Sequence, residues 1–390
     1  MLVMEREKTR TALVDGAHGH VGSFLTNLLA DDGWNVVATD LPPKERKTIA
    51  TKEYVFDIPD DRLSIDRDNV EFIPADLTDK QSLYPLFENR AFTTIFHTAS
   101  LYDYFAPLDL LERINVGGLT NLLDVYEETS SAIFSDPSEF PRIIHWSTVG
   151  VYGQPQGQYG KHWDHPADET APFNPPNDYS VSKVHQEELL MDWWREKHVP
   201  IVTIRPAPIY GPYQRYGMFH VFHLIHTIGS VPIVSLYPRW RKLHMPTVHV
   251  EDVVRAAEFL AEAPAEKVVG EAFNIIDDCG LQEEFLVIIA RLLDADYFNI
   301  SMPWLMYKGV AQFGYSFAIE QNRRTRMQGK RPQYDAPMAE YLTQQYWFSN
   351  KKIKDLGFVF KYPDMKPGLE STIDWYFEHG WLKREKWEEK

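Results

Sequence analysis

Short apolar runs alternate with longer stretches of helical periodicity through the first half of the chain. Thr11 to Asp15, Asn35 to Asp40, Val70 to Pro74, Thr94 to Thr98, Arg142 to Trp146 and Pro200 to Ile204 are compact aliphatic or β-branched runs. Such runs suit strands buried on both faces. Between them, Val21 to Asp31, Val116 to Glu128 and Val181 to Lys197 repeat apolar residues every three or four positions, the period of a helix. Strands alternating with helices imply right-handed crossovers and a parallel sheet. After Pro212 prolines and aromatics become dense and helices dominate. The expected fold is therefore α/β, a Rossmann-type doubly wound parallel sheet with a smaller, mainly helical C-terminal substrate lobe. Residues 9–208 form the dinucleotide-binding domain, segments near 246–278 return to it, and 209–245 with 279–390 form the substrate lobe.

Composition narrows the function classes. With 390 residues the chain exceeds one small core. A net charge of −16 argues against binding to a nucleic-acid backbone, which draws on clustered Lys and Arg. The single cysteine, Cys279, forms no intrachain disulfide and fits a reducing, cytoplasmic setting. No apolar run is long enough to span a bilayer. Trp304 to Ile319 is aromatic and lightly charged, which predicts a buried helix, with peripheral membrane contact as the alternative. His220, His223 and His226 lack the carboxylate spacing of a zinc site, so no metal is expected.

Two motifs carry chemistry. Gly16-Ala-His18-Gly19-His20-Val21-Gly22 follows a strand and opens a helix. Its first glycine permits a tight turn, the second lets the backbone approach a pyrophosphate, and the third allows close helix–strand packing. The helix N-terminus then offers free N–H groups to the phosphates. Asp40, ending the second strand, suits the two adenosine ribose hydroxyls and would repel a 2′-phosphate. NAD is thus favoured, although Lys44 and Arg46 leave NADP open. Asp76-Leu77 would flank the adenine. His97-Thr98-Ala99-Ser100 would allow close backbone contact with the cofactor.

The second motif is Tyr179-Ser-Val-Ser-Lys183. Tyrosine is a poor acid/base at neutral pH, with a reference pKa of ~10. An ammonium one helical turn away favours its phenolate and can hold the nicotinamide ribose. Ser147-Thr148, after the fifth strand, offers a hydroxyl to orient the substrate oxygen. Hydride would then pass between a substrate carbon and nicotinamide while Tyr179 exchanges the proton.

With these motifs in this order, the chain resembles the extended short-chain dehydrogenase/reductase superfamily, the NAD-dependent epimerase/dehydratase group. Further matching pieces are Asn115-Val-Gly-Gly-Leu-Thr-Asn, Ser-Thr148-Val-Gly-Val-Tyr-Gly, Arg205-Pro206-Ala-Pro-Ile-Tyr-Gly and His249-Val-Glu-Asp252. The resemblance implies Thr148, Tyr179 and Lys183 as catalytic residues, Asn115 supporting the lysine through water, and Pro206 beside the nicotinamide. It also implies a homodimer built on the helices near Asn115 and Tyr179. Gly118-Leu119 departs from the usual Gly-Thr.

For the substrate, His-Thr-Ala-Ser followed by Leu101-Tyr-Asp-Tyr-Phe resembles the 3β-hydroxysteroid dehydrogenase / sterol-4-carboxylate 3-dehydrogenase branch. So does Phe348-Ser-Asn-Lys-Lys-Ile-Lys-Asp-Leu-Gly-Phe358. That resemblance implies oxidation of a secondary alcohol on a sterol-like or alicyclic substrate, with Tyr102, Tyr104, Tyr213, Tyr216 and Phe219 lining an apolar site. Arg215, Arg239 and Arg241 are the cations available for a substrate carboxylate. The alternative is a nucleotide-sugar 4-epimerase. Val149-Gly150 after Thr148 supplies no acid and base for a dehydratase.

Overall fold

The computed structural model describes residues 10–41, 63–104, 106–155, 165–214, 216–239, 241–328 and 344–383. Lys44, Arg46 and Arg215 lie outside them.

The alternation read from the sequence folds into a seven-stranded sheet. Its strands are β1 (Thr11–Asp15), β2 (Asn35–Thr39), β3 (Val70–Phe72), β4 (Thr94–His97), β5 (Arg142–Trp146), β6 (Ile201–Pro206) and β10 (Ala272–Ile275). They lie in the order β10-β6-β5-β4-β1-β2-β3. Pairings β1/β2, β1/β4, β2/β3, β4/β5 and β5/β6 are all parallel. The crossovers run through α1 (His20–Asp31), α2 (Lys80–Phe87), α3 (Gly117–Ser130) and α4 (Asp178–Lys197). Leu13, Ile95 and Ile143 of the sheet bury against Leu83 and Leu86 of α2, Leu119, Leu122 and Leu123 of α3, and Leu190 of α4. Both faces of this sheet are covered, so its strands read as continuous apolar runs rather than alternating ones.

Arg205-Pro206, expected to stop a strand, instead completes β6. Proline has no N–H to give a ladder and is tolerated at such an end. Strand β10 (Ala272–Ile275) lies at one edge of this sheet, beside β6. Pro246 to Val250 does not join it; its strand β9 (Val248–His249) pairs with β7 (Ile209–Tyr210) in a separate two-stranded sheet.

The chain packs as two compact units. One comprises Met1–Thr148, Asp178–Ile204 and Val254–Ala272, the other Val149–Asn177, Arg205–Val253 and Phe273–Lys390. These boundaries differ from those expected, because the loop between Thr148 and Tyr179 joins the second unit. Within that unit its Ala167 bonds Trp347 and Ser349 through the backbone, and the Glu169 carboxylate accepts from Asn274 N at 2.8 Å.

In the second unit, α5 (Met218–Ile228) precedes β8 (Ser230–Tyr237), which pairs in parallel with β11 (Asp296–Pro303). Helix α6 (Val250–Glu262) begins there and runs into the first unit. The later helices are α7 (Gln282–Leu292), α8 (Trp304–Met327) and α9 (Met365–Glu378). The expectation of a buried helix at Trp304 to Ile319 is overturned. Leu305, Met306, Val310, Phe313 and Phe317 of α8 are all exposed. No described helix is long and apolar enough to cross a membrane.

One side chain closes the back of the first unit. Arg142 Nη1 lies 2.7 Å from Leu260 O and 2.8 Å from both Ala261 O and Ala263 O, at the end of α6. A cation there satisfies terminal carbonyls and complements the negative end of the helix. Arg142→Met should destabilise the protein by about 2 kcal/mol. A lowered urea midpoint with unchanged dinucleotide binding is the expected result.

Candidate active site

The dinucleotide loop needs its glycines for measurable reasons. Gly16 has φ +64°, and a Cβ there would stand 2.9 Å from Ala99 Cα. A Cβ on Gly22 would lie 2.1 Å from the Gly16 carbonyl oxygen, a backbone clash no rotamer relieves. Gly19 donates to Gly16 O at 2.8 Å, closing the turn, and is exposed where a pyrophosphate would approach. His20 begins α1 and is nearly buried, edge-on to Phe24; Val21 is half-buried beside it. His18 packs its ring on Phe72 and donates its backbone N–H to Asp40 Oδ2 at 2.9 Å. Asp40 Oδ1 accepts from Leu41 N. The carboxylate is thus fixed at the end of β2 and keeps lone pairs for ribose hydroxyls.

Asp76 accepts from Thr78 N and Oγ1, both at 2.8 Å. Asp79, not Asp76, caps α2 by accepting from Gln81 N. Leu77 O accepts from Asn121 Nδ2, and Leu77 presses on Gly118, where an added Cβ would meet its side chain at 3.0 Å. The Thr98 and Ala99 N–H groups are both taken by Asp15 Oδ1 at 2.6 Å. Any contact with a dinucleotide would therefore come from their side-chain and carbonyl surface. Ser100 Oγ is buried with no partner among the described residues, a polar atom left for a bound group to satisfy. The glycine cradle, the fixed Asp40 and this orphaned hydroxyl fit a dinucleotide.

Tyr179 and Lys183 occupy the first turns of α4, both buried. The ammonium nitrogen sits 5.9 Å from the centre of the Tyr179 ring. Lys183 Nζ donates to Trp146 O at 2.8 Å, which anchors α4 to the end of β5. Ser147 is buried and its hydroxyl donates to Glu187. Thr148, the next residue, is half-exposed at the end of β5. Asn115 lies in a π-helical turn, Glu112–Val116, ahead of α3. Its Oδ1 accepts from Leu101 N at 2.7 Å and its Nδ2 donates to Ser182 Oγ at 3.1 Å, tying the loop after β4 to α4. Such one-turn widenings recur at functional sites.

A polar group lies beneath these, of which sequence reading singled out only His97. Asp15, His97, His145 and Thr203 are register partners on β1, β4, β5 and β6, and Asp15 also pairs with Thr39 on β2. All are buried. Partners in a parallel register share a face, so they form one polar row across an otherwise apolar sheet. His97 Nδ1 is 2.6 Å from Asp15 Oδ2, and its ring stacks on His145 at 5.4 Å. Gln186 Nε2 reaches His97 Nε2 at 3.4 Å and Asn115 O at 2.8 Å. Each of these polar residues sits among apolar neighbours in its own strand, and only the register aligns them.

This row sets the electrostatics. Burial lowers the Lys183 pKa to about 7, against the opposing pull of the Asp15 and Glu187 carboxylates. Burial also holds His145 well below the usual imidazole range, with Lys183 and His97 adding to the effect. His145 is thus neutral.

The substrate residues divide. Tyr102 and Tyr104 stand edge-on to Tyr179, at 5.1 and 5.6 Å, in an apolar cluster with Leu101, Ala106, Leu110 and Leu111. In the second unit Phe219 is buried against Tyr376 and Trp381, a packing position. Tyr213 packs on Trp375, and Tyr216 is partly exposed. Pro206 ends β6 and is buried. Arg239 is exposed and Arg241 lies over the Trp304 ring.

The profile of the NAD dependent epimerase/dehydratase family matches residues 12–275. The chain belongs to that family. It is similar to dTDP-D-glucose 4,6-dehydratase of Bos taurus, 23% identical with 97% of this chain and 92% of that protein covered. It is also similar to the N-acetyl-alpha-D-glucosaminyl-diphospho-ditrans,octacis-undecaprenol 4-epimerase of Escherichia coli O157:H7, 24% identical over 81% of this chain and 88% of that one. Among solved structures, the Thermus thermophilus UDP-glucose 4-epimerase complex with NAD superposes with a TM-score of 0.63 at 19% identity, covering 94% and 98% of the two chains. That likeness shows the Rossmann-like α/β fold. NAD is the cofactor of the family to which the chain belongs. These relatives are named for sugar chemistry, and none of the three supports the sterol branch.

Two outcomes are expected. Gly22→Ala should abolish NAD binding, measured by calorimetry, while the backbone clash displaces α1. The second concerns protonation. Lys183 has its ordinary value of 10.5 when unfolded and about 7 when folded. The unfolded chain then binds that proton more strongly between those limits, so this side chain's stability contribution is full above about 10.5 and is lost as pH falls through about 7. The urea midpoint of the wild type relative to Lys183→Met should therefore rise with pH across that window.

Proposed function

We propose that the protein is an NAD-dependent 4-epimerase of a diphosphate-linked hexose. The carrying observation is the pair of residues directly after Thr148. Dehydration across C5 and C6 needs an additional acid and base, whereas Val149 and Gly150 are buried and non-ionisable. Epimerisation is redox-neutral and needs only one acid/base residue that takes a proton from O4 and returns it. Relatives named for 4-epimerase and 4,6-dehydratase activity support the substrate class, and the missing acid and base favour the epimerase.

In this reading Thr148 Oγ1 donates to O4 and fixes its position. Tyr179 Oη accepts the O4 proton. Lys183, when protonated, lowers the proton affinity of the phenol and makes that acceptance feasible near neutral pH. NAD, when bound, supplies the reversible acceptor for the hydrogen of C4. Tyr179 then returns its proton to the oxygen of the inverted centre. Asp15 and Glu187 support this by opposing the loss of charge on buried Lys183. Two copies pairing through α3 and α4 belong to the same proposal.

A second reading, a 3β-hydroxysteroid-type dehydrogenase, uses the same three residues for net oxidation. The apolar wall of Tyr102, Tyr104, Leu101 and Leu110 beside Tyr179 favours it. Incubation of the purified protein with UDP-glucose, dTDP-glucose and a polyprenol-diphosphate sugar, with NMR of the sugar C4 centre, separates the two. The epimerase reading expects interconversion without net NADH, and Tyr179→Phe should lower kcat by about 10²–10⁴. NADH accumulating on hydroxysterols, with every sugar unchanged, would replace it with the second reading.

A further inference from the structure

Helix α8 has two apolar sides, and only one is packed. Trp304, Tyr307 and Ala311 face Leu236, Leu243 and Val234. The other side presents Leu305, Met306, Val310, Phe313 and Phe317, spaced three to four apart from Met306 onward. Leu305 is 82% exposed, Phe313 74% and Phe317 58%. Gly309 and Gly314 interrupt this face with no atom of the described chain near the position of a Cβ. A helix apolar all round is ordinarily buried, and an exposed apolar stripe of this kind marks a binding surface.

Charge identifies the occupant. After Glu320 the sequence carries Arg323, Arg324, Arg326, Lys330 and Arg331 before the next acid, Asp335. The Arg323 and Arg324 side chains are exposed and share the single carboxylate of Glu320, which leaves excess positive charge. This local excess stands in a chain of net charge −16. An apolar, aromatic stripe running into a cationic end is the signature of a helix lying in the plane of an anionic bilayer. At 24 residues the helix is about 36 Å long. A two-fold pairing of two copies about Phe313 would cover the apolar residues but leave both cationic ends unmatched. Anionic headgroups match both parts at once.

We infer that the outward face of α8 is a docking surface for an anionic lipid bilayer, with Phe313 and Phe317 entering the acyl boundary and Arg323 and Arg324 at the phosphates. The inference does not depend on the substrate.

The full chain would be sedimented with vesicles of phosphatidylcholine alone and of phosphatidylcholine with phosphatidylglycerol. Binding to the anionic vesicles should be at least about tenfold tighter at low salt, with the preference shrinking as salt rises. Phe313→Ser/Phe317→Ser should weaken it by about tenfold or more, while NAD binding and the urea midpoint hold. Arg323→Gln/Arg324→Gln should remove the preference for anionic vesicles. Absence of binding to either vesicle, or binding that neither double variant changes, would overturn the inference. So would a dimer that the phenylalanine variant converts to monomers in the absence of lipid affinity.

Discussion

One buried carboxylate holds the working end of the sheet. Asp15 closes β1 and accepts from His97, Thr98 and Ala99 at 2.6 Å each, so the ends of β1 and β4 cannot separate without leaving a buried charge unpaired. Such a group is costly unless fully hydrogen-bonded. The same carboxylate opposes the loss of charge on Lys183. A single residue therefore holds the turn that begins at Gly16, immediately after it, and counters part of the effect of burial on the lysine beside Tyr179.

The polar row across the sheet extends that constraint. His97 passes the contact from Asp15 to Gln186 on α4, and Gln186 reaches the Asn115 carbonyl. Asn115 in turn holds Leu101 and Ser182. The loop carrying Tyr102 and Tyr104 is thereby fixed to the helix carrying Tyr179. Networks of this kind rigidify a site when every member is satisfied. Two members depart from this: Gln186 Oε1 and both ring nitrogens of His145 have no hydrogen-bond partner among the described residues, and the neutrality of His145 limits its cost.

Membrane docking and sugar chemistry are compatible. Both proposals stand on separate observations, the first on α8 and the second on the residues around Tyr179.

By itself the sequence determined what local chemistry dictates. The apolar runs specified buried parallel strands, the three glycines specified the cradle, and Tyr179 and Lys183 share a face because four residues make about one helical turn. Boundaries moved only slightly, as at β6, whose Pro206 can end a strand. What the tertiary structure decided depends on register and packing. Asp15, His97, His145 and Thr203 are distant in sequence, and nothing in their own strands links them, yet parallel pairing sets them in one row. Ser147 and Thr148 look equivalent in the chain, but packing buries the first against Glu187 and keeps the second half-exposed. Phe219 and α8 show the same ambiguity in opposite senses. An aromatic residue carries no mark of which side its neighbours will cover, so Phe219 went into a core and Phe313 stayed outside.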